Sequence, residues 1–205
     1  MSALQEIVAG IHSWSWFSER FGYHFNGFLV ESDEGNLAVD PVEMGDEVLA
    51  ELAALGVARI LLTNRNHFRD ARKLHERTKA PVLVHAADAD FVRGKGVPVA
   101  GALVPDDGVG PFTIFHCPGK SPGEVVLSWP ERRLVIVGDA CVGRAPGVLG
   151  LLPAAVIDDP AELRRSLARL AEEVDFDTLL AADGHHVMGG ARAALHALLS
   201  EPAAG

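Results

Sequence analysis

The first forty residues carry the hydrophobic spacing of β-strands. Residues 6–11, 23–30 and 37–40 are rich in β-branched and aromatic side chains, and residues 33–36 form a polar stretch with a glycine. Strands separated by short polar turns pair with their neighbours in sequence. This part of the chain therefore predicts a β-meander.

After residue 47 the hydrophobic spacing changes to that of a helix. Val48, Leu52 and Leu55 recur at i, i+4 and i+7, and the stripe stops at Gly56. A glycine directly after the last periodic residue is typical of a helix C-terminus. The spacing therefore predicts a helix that ends at Gly56.

The rest of the chain alternates between strand and helix patterns. Asp159 followed by Pro160, with Glu162 three residues after Asp159, is a helix start signal. Residues 143–153 show no clear period and are predicted to form a loop. Further helices are predicted from about 69 to before 81 and over 191–198, and strands over 59–63, 82–85, 113–116, 125–129, 134–137 and 178–181. Strands followed by alternating helices and strands predict a mixed α and β protein.

Length and composition limit the classes of protein to which the chain can belong. With 205 residues, 48% of them hydrophobic, the chain can build one sizeable core, and we expect a single domain over residues 1–205. No apolar run approaches the roughly 20 residues of a membrane span, and residues 1–6 lack the basic and apolar blocks of a signal peptide. We therefore expect a cytoplasmic protein without membrane association. The formal charge of −10 argues against a nucleic-acid partner, because phosphate contacts need clustered lysines and arginines.

The two cysteines, Cys117 and Cys141, are too few for a disulfide framework. A nucleophilic cysteine would need a nearby base. His116 precedes Cys117, but neighbouring residues of a strand point to opposite faces. We therefore expect neither cysteine to be catalytic.

The segment Thr63-Asn64-Arg65-Asn66-His67-Phe68-Arg69-Asp70 follows a buried strand and resembles the metal-binding loop of the metallo-β-lactamase superfamily. In that family the threonine is followed by His-x-His-x-Asp-His. Here the four ligand places hold Asn64, Asn66, Phe68 and Arg69. Asparagine is a poor zinc ligand, phenylalanine is none, and a protonated guanidinium repels a cation.

Three further segments resemble the family's motifs in order and spacing. Residues 116–124 resemble its Thr-Pro-Gly-His turn, with Lys120 at the place of the third histidine. Residues 134–139 resemble its buried strand that ends in Gly-Asp, so Asp139 is retained, and residues 182–186 resemble the terminal Gly-His, so His185 is retained. The resemblance implies an α+β fold, a four-layer αβ/βα sandwich of the metallo-β-lactamase type with two mixed β-sheets flanked by helices.

The replaced ligands change the chemistry that the resemblance implies. Metal-bearing members use the cations to polarise an oxygen and to generate hydroxide. Here Arg69 and Lys120 place positive charges at two of the ligand places. A buried Asp139 would therefore gain a cation that compensates its negative charge. We therefore expect Arg69 or Lys120 within ion-pair reach of Asp139. We expect no resident cofactor, with one weakly bound zinc or iron on His67, Asp139 and His185 as the alternative.

Two functional hypotheses follow from this reading, and a purely structural one stands beside them. The first is a hydrolase-like enzyme for a small ester, thioester or phosphorylated compound. Its catalytic candidates are Asp139, His185 and Lys120, with Asn64, Asn66, His67 and Arg69 lining the pocket. The second is a non-catalytic protein that binds a small anionic molecule on the same scaffold. The structural alternative is that the charged residues only hold the fold together. His185 would be a general base in the enzyme, and otherwise an ordinary hydrogen-bonded histidine.

Overall fold

The structure is a computed structural model that describes residues 3–201. The structure does not describe residues 1–2 or residues 202–205. Residues 1–2 are part of the N-terminal stretch for which the absence of a signal peptide is predicted. The chain divides between Val104 and Pro105 into two compact units. The expectation of one domain over 1–205 stays a prediction.

The first unit contains a seven-stranded mixed sheet in the order β1-β2-β3-β4-β5-β6-β7. Strands β1 to β4 are antiparallel neighbours, whereas β4 to β7 run parallel. The strands are β1 Gln5–Val8, β2 Ile11–Ser18, β3 Tyr23–Val30, β4 Leu37–Val39, β5 Arg59–Leu62, β6 Val82–Val84 and β7 Val99–Ala102. The predicted β-meander is confirmed.

One predicted strand of this unit is wrong. Residues 6–11 are not a single strand, because β1 ends at Val8 and β2 begins at Ile11, which is paired with Val8. Gly10 has a φ of 71° in the tight turn between them. Glycine adopts that left-handed backbone at no steric cost, so the chain reverses where the apolar pattern alone suggests continuity.

Three helices belong to the first unit: α1 Asp46–Leu55, α2 Ala71–Thr78 and α3 Ala86–Gly94. As predicted, α1 ends at Gly56, whose N–H donates to the Leu52 carbonyl. Helix α3 and strand β7 were not predicted. Buried Leu52, Ile60, Leu74 and Val82 belong to one hydrophobic core of the unit.

The second unit contains a five-stranded mixed sheet in the order β14-β11-β10-β9-β8. Its strands are β8 Gly108–Val109, β9 Phe112–His116, β10 Val125–Trp129, β11 Leu134–Val137 and β14 Thr178–Ala181. Only β11 and β14 are parallel neighbours. A separate hairpin of β12 Val142–Ala145 and β13 Val148–Gly150 covers most of the first part of residues 143–153. The prediction of a loop over those residues is therefore wrong.

Two helices complete the second unit, α4 Pro160–Glu173 and α5 Ala191–Ser200, with single 3₁₀ turns at Pro130–Arg132 and Ala154–Val156. The predicted cap is confirmed, since the Asp159 carboxylate accepts a hydrogen bond from the Glu162 N–H at 2.9 Å. Leu163, Leu167 and Leu195 lie in the buried core of the unit. No helix among residues 3–201 is long and apolar enough to cross a membrane.

Candidate functional site

Two aspartates of the second unit are brought together by the register of its parallel strands. Val137 at the end of β11 pairs with Ala181 at the end of β14. Asp139 and Asp183 each follow two residues later, at the same edge of the sheet. Both are buried, and a carboxylate oxygen of one lies within 4.8 Å of a carboxylate oxygen of the other.

Lys120 supplies a positive charge at this edge. Its Nζ lies 3.0 Å from Oδ2 of Asp139, and the two side chains are only 6% and 7% exposed. The prediction that Arg69 or Lys120 lies within ion-pair reach of Asp139 is therefore confirmed for Lys120. One ammonium and the two carboxylates of Asp139 and Asp183 carry a formal charge of −1 together.

The turn that carries Lys120 is fixed by its backbone. Gly119 has a φ of 132°, and a Cβ there would lie 2.2 Å from the backbone nitrogen of Leu163 in α4. The Gly119 carbonyl accepts a hydrogen bond from the Asp159 N–H at 2.8 Å. Only glycine fits so close to another backbone. The first turn of α4 thus determines where the Cα of Lys120 lies.

His185 follows Asp183 in a segment that is attached to the start of β12. Gly143 donates its N–H to the Asp183 carbonyl at 2.9 Å, and its carbonyl accepts from the His185 N–H at 3.0 Å. A Cβ on Gly143 would lie 1.8 Å from the His185 carbonyl oxygen, so glycine is required there. The backbone of His185 is therefore fixed, while the residue is exposed.

His186, in contrast, is partly buried and has a structural role. Its Nδ1 accepts a hydrogen bond from the Ala181 N–H at 3.2 Å. Burial, together with the neighbouring His185, lowers the pKa of His186 to about 4. At neutral pH the His186 ring is therefore uncharged.

In the first unit, Asp40 organises the loop after β5. Its buried carboxylate accepts from the Thr63 N–H at 2.8 Å and the Thr63 hydroxyl at 2.6 Å, and lies 2.7 Å from Nδ1 of His67. A neutral His67 that donates from Nδ1 to the carboxylate carries its lone pair on Nε2. Such a carboxylate–histidine pair sets the ring for use as a base or a ligand.

The other predicted pocket residues of this loop differ in exposure. Asn64 is buried, and its Oδ1 accepts from the Asn66 N–H at 2.7 Å, whereas Asn66 itself is exposed. Within the described chain no hydrogen-bond partner is found for Nδ2 of Asn64. The guanidinium of Arg69 lies over the Phe25 ring, 4.1 Å from its centroid, in a cation–π contact. The predicted role of Arg69 at a ligand place stays a prediction.

Both cysteines are free and fully buried. Burial, and next the buried carboxylate of Glu124, raise the pKa of Cys117 well above its usual value and that of Cys141 to about 12. A thiol in such surroundings stays protonated and is a poor nucleophile. This supports the expectation that neither cysteine is catalytic.

Sequence reasoning missed Asp40 and Asp183. Each directly or closely follows a strand that runs parallel to its neighbour, β4 beside β5 and β11 beside β14. Because the carboxyl ends of parallel strands share one edge of a sheet, polar residues after them meet. The sequence shows that both aspartates follow predicted strands, but it does not give the strand order that brings them to these positions.

Comparison with solved structures places this architecture among known folds. One similar structure is that of a metallo-β-lactamase from Erythrobacter litoralis with β-mercaptoethanol in the active site. The two proteins are 17% identical, and the match covers 97% of this chain and 96% of the other, with a TM-score of 0.79. The metallo-β-lactamase FIM-1 from Pseudomonas aeruginosa in its mono-zinc form is 16% identical over 96% of this chain and 93% of its own, with a TM-score of 0.75. These two likenesses confirm the predicted fold class.

A third structure has more sequence in common with this chain. TTHA1623 in a di-iron-bound form is 26% identical over 83% of this chain and 93% of its own, with a TM-score of 0.65. No curated protein matches the chain. The sequence profile of the metallo-β-lactamase superfamily matches residues 4–201, nearly the whole sequence. The chain belongs to the metallo-β-lactamase superfamily.

Proposed function

We propose that the chain is a hydrolase-like member of this superfamily whose polar site replaces a dinuclear metal centre. Its substrate is a small ester, thioester or phosphorylated compound. The observation that carries the proposal is the buried contact of 3.0 Å between Lys120 and Asp139, at the place of the family's third histidine. A cation held there is positioned to do part of what a metal does.

Lys120 would polarise the substrate. An ammonium can stabilise the negative charge that develops on a carbonyl or phosphoryl oxygen, and a fixed donor in a buried place does so without reorganisation. Asp139 holds the ammonium in position. His185, exposed on a fixed backbone, is the candidate base that takes a proton from the attacking water. Asn64, Asn66, His67 and Arg69 remain the proposed substrate-binding residues.

The residues present do not fit a dinuclear metal centre. Asn64, Asn66 and Arg69 stand at three ligand places, and a lysine ammonium already contacts the retained Asp139. TTHA1623 is known in a di-iron-bound form and FIM-1 in a mono-zinc form. One weakly held ion remains the alternative here, through His67, Asp139 and His185. It would have to compete with the ammonium of Lys120.

Non-catalytic anion binding is the weaker candidate. An anion site needs a positive charge that is not already balanced. Lys120 contacts one carboxylate, and a second lies within 4.8 Å of the first, so these groups together carry a formal charge of −1. A neutral ester or thioester carbonyl avoids that repulsion, which favours such substrates over phosphorylated ones.

The test is hydrolysis by protein that has been treated with a chelator. p-Nitrophenyl acetate, an acyl thioester and p-nitrophenyl phosphate would be compared for the parent protein, Lys120→Met and a matched control, Lys95→Met, at an exposed lysine. We expect chelator-resistant hydrolysis of the ester or thioester that falls about a hundredfold in Lys120→Met, the range for loss of one oxyanion donor, and not in Lys95→Met. Hydrolysis that disappears with the metal, or that is equal in both variants, would contradict the proposal.

The proposed location is the cytoplasm. Two free, buried thiols fit a reducing compartment, where disulfides are rare. The proposed ligand is a small molecule, and the charge of −10 disfavours nucleic acid.

A further inference from the structure

The second unit contains a pocket that shares no residue with the candidate site described above. It has a volume of about 510 Å³, within the roughly 300–1,000 Å³ of small-molecule sites. The β12–β13 hairpin and the segment after it form one side, and α4 and α5 contribute the rest. Aliphatic side chains dominate the walls, among them Leu149, Leu151, Leu152, Ile157 and Leu198.

Two arginines line this pocket, and both are held in place by backbone carbonyls. Arg144 donates from a guanidinium nitrogen to the Leu151 carbonyl. Its side chain lies across Gly150, where a Cβ would be 2.7 Å from its Cγ and Nε. Arg164 donates to the Leu199 carbonyl at 2.9 Å. A guanidinium has five N–H groups in a fixed fork, so an anchor at one nitrogen leaves others to meet an anion.

The lining favours one class of ligand. Arg144 and Arg164 against a single lining carboxylate, Glu201, leave a net charge of +1 on the pocket's charged residues. No aromatic ring is among the lining residues, all of which lie within the described chain, so the walls suit a flexible alkyl chain better than a flat ring. An anionic head and an aliphatic tail complement these two features.

We propose that this pocket binds a medium-chain carboxylate, with the alkyl chain on the leucine walls and the carboxylate on Arg144. Each buried methylene adds to the affinity, so the alkyl chain supplies affinity and the arginine supplies selection for the acid. This inference does not depend on the proposed hydrolase activity, because it shares no residue with that site.

The test is calorimetric titration with decanoate, below its micelle concentration, beside acetate and decanol. We expect decanoate to bind, acetate to bind too weakly to detect and decanol to bind about tenfold more weakly than decanoate. Arg144→Met should weaken decanoate binding about tenfold and leave decanol binding unchanged. Arg165→Met is the matched control, since Arg165 is an exposed residue of α4 that pairs with Glu162.

A second pair of variants keeps the result interpretable if Arg144→Met is unstable. Arg144→Lys retains the charge but loses the fork, so a smaller loss is expected. Leu152→Gln should weaken decanoate and decanol alike. Absence of decanoate binding to the parent protein, equal affinity for decanoate and decanol, or an unchanged affinity in Arg144→Lys and Arg144→Met would overturn the proposal.

Discussion

The Nζ atom of Lys120 lies 3.0 Å from Oδ2 of Asp139, and both side chains are more than nine-tenths buried. The lysine comes from the turn between β9 and β10, and the aspartate from the end of β11. An isolated buried carboxylate would be strongly destabilising. The pair is therefore a unit, in which each charge depends on the other.

Loss of Lys120 should destabilise the protein through this dependence. We expect Lys120→Met to lower the free energy of unfolding by about 3 to 5 kcal/mol, because it leaves the Asp139 carboxylate buried without its cation. The double variant with Asp139→Asn should recover much of the loss. Urea unfolding of the two single variants, the double variant and Lys95→Met would measure the coupling. Unfolding of Lys120→Met at the parent urea concentration would show that the pair contributes nothing to stability.

The helices and strands with strong hydrophobic periodicity could be predicted from the sequence. Helix α3 and strand β7 could not, because they lack the usual cap and the usual apolar face. Helix α4 has a leucine stripe and an aspartate cap, so both its start and its buried face were predictable. Helix α3 is capped instead by the ring of His85, which accepts from the Ala87 N–H at 3.3 Å, a contact that sequence rules do not anticipate. Three of the four residues of β7 are exposed, so the strand lacks the alternating apolar pattern from which a strand is predicted.

The site was predictable where charge decided the arrangement. A cation at position 120 and a buried Asp139 had to compensate each other, and they do. The contact of Asp40 with His67 depends instead on strand order, since β4 and β5 must be parallel neighbours before the end of one can meet the loop after the other. Motif comparison matches residues along the chain and does not show which strands are neighbours in the sheet.

Metal content should separate this chain from members with two metal ions. Protein purified without added metal is expected to hold well below about two ions of zinc plus iron per chain after dialysis, because amides and cations stand at the proposed ligand places. Lys120→His restores an imidazole and removes the competing ammonium, so it should retain more metal than the parent. Elemental analysis of both proteins is the measurement. Two tightly held ions in the parent protein would refute the interpretation of the site.

The thiols should be inert in the native protein. Since burial and Glu124 raise the pKa of Cys141 to about 12, and that of Cys117 well above its usual value, both stay protonated at pH 8. We expect no reaction with Ellman's reagent at pH 8 in buffer and reaction of both thiols in guanidinium chloride. Rapid modification of Cys117 in the native state would reopen the possibility of a nucleophilic cysteine, and Cys117→Ser would identify the reacting thiol.

Acid should destabilise the protein through His186. Its folded pKa of about 4 lies below the unfolded value of about 6.5, so the folded state prefers the neutral ring. The resulting stability is fully present above about pH 6.5 and is lost as the pH falls through the folded pKa, with a total of about 3 kcal/mol.

The His186→Asn variant tests this, because its amide oxygen can still accept from the Ala181 N–H. We expect its free energy of unfolding to vary less between pH 6.5 and 4 than that of the parent. His196→Asn, at an exposed histidine, is the control and should follow the parent. Parallel curves for the parent and His186→Asn would mean that other groups cause the acid sensitivity.

Because Gly119 lies so close to α4, the backbone position of residue 120 does not depend on which side chain that residue carries. Because a helix backbone fixes the turn, the Cα of residue 120 keeps its place whichever side chain it bears. An exchange between histidine and lysine there would alter charge and ligand capacity without requiring the turn to be rebuilt. The turn thus sets where residue 120 lies, and the side chain alone decides whether a positive charge or a ligand atom stands there.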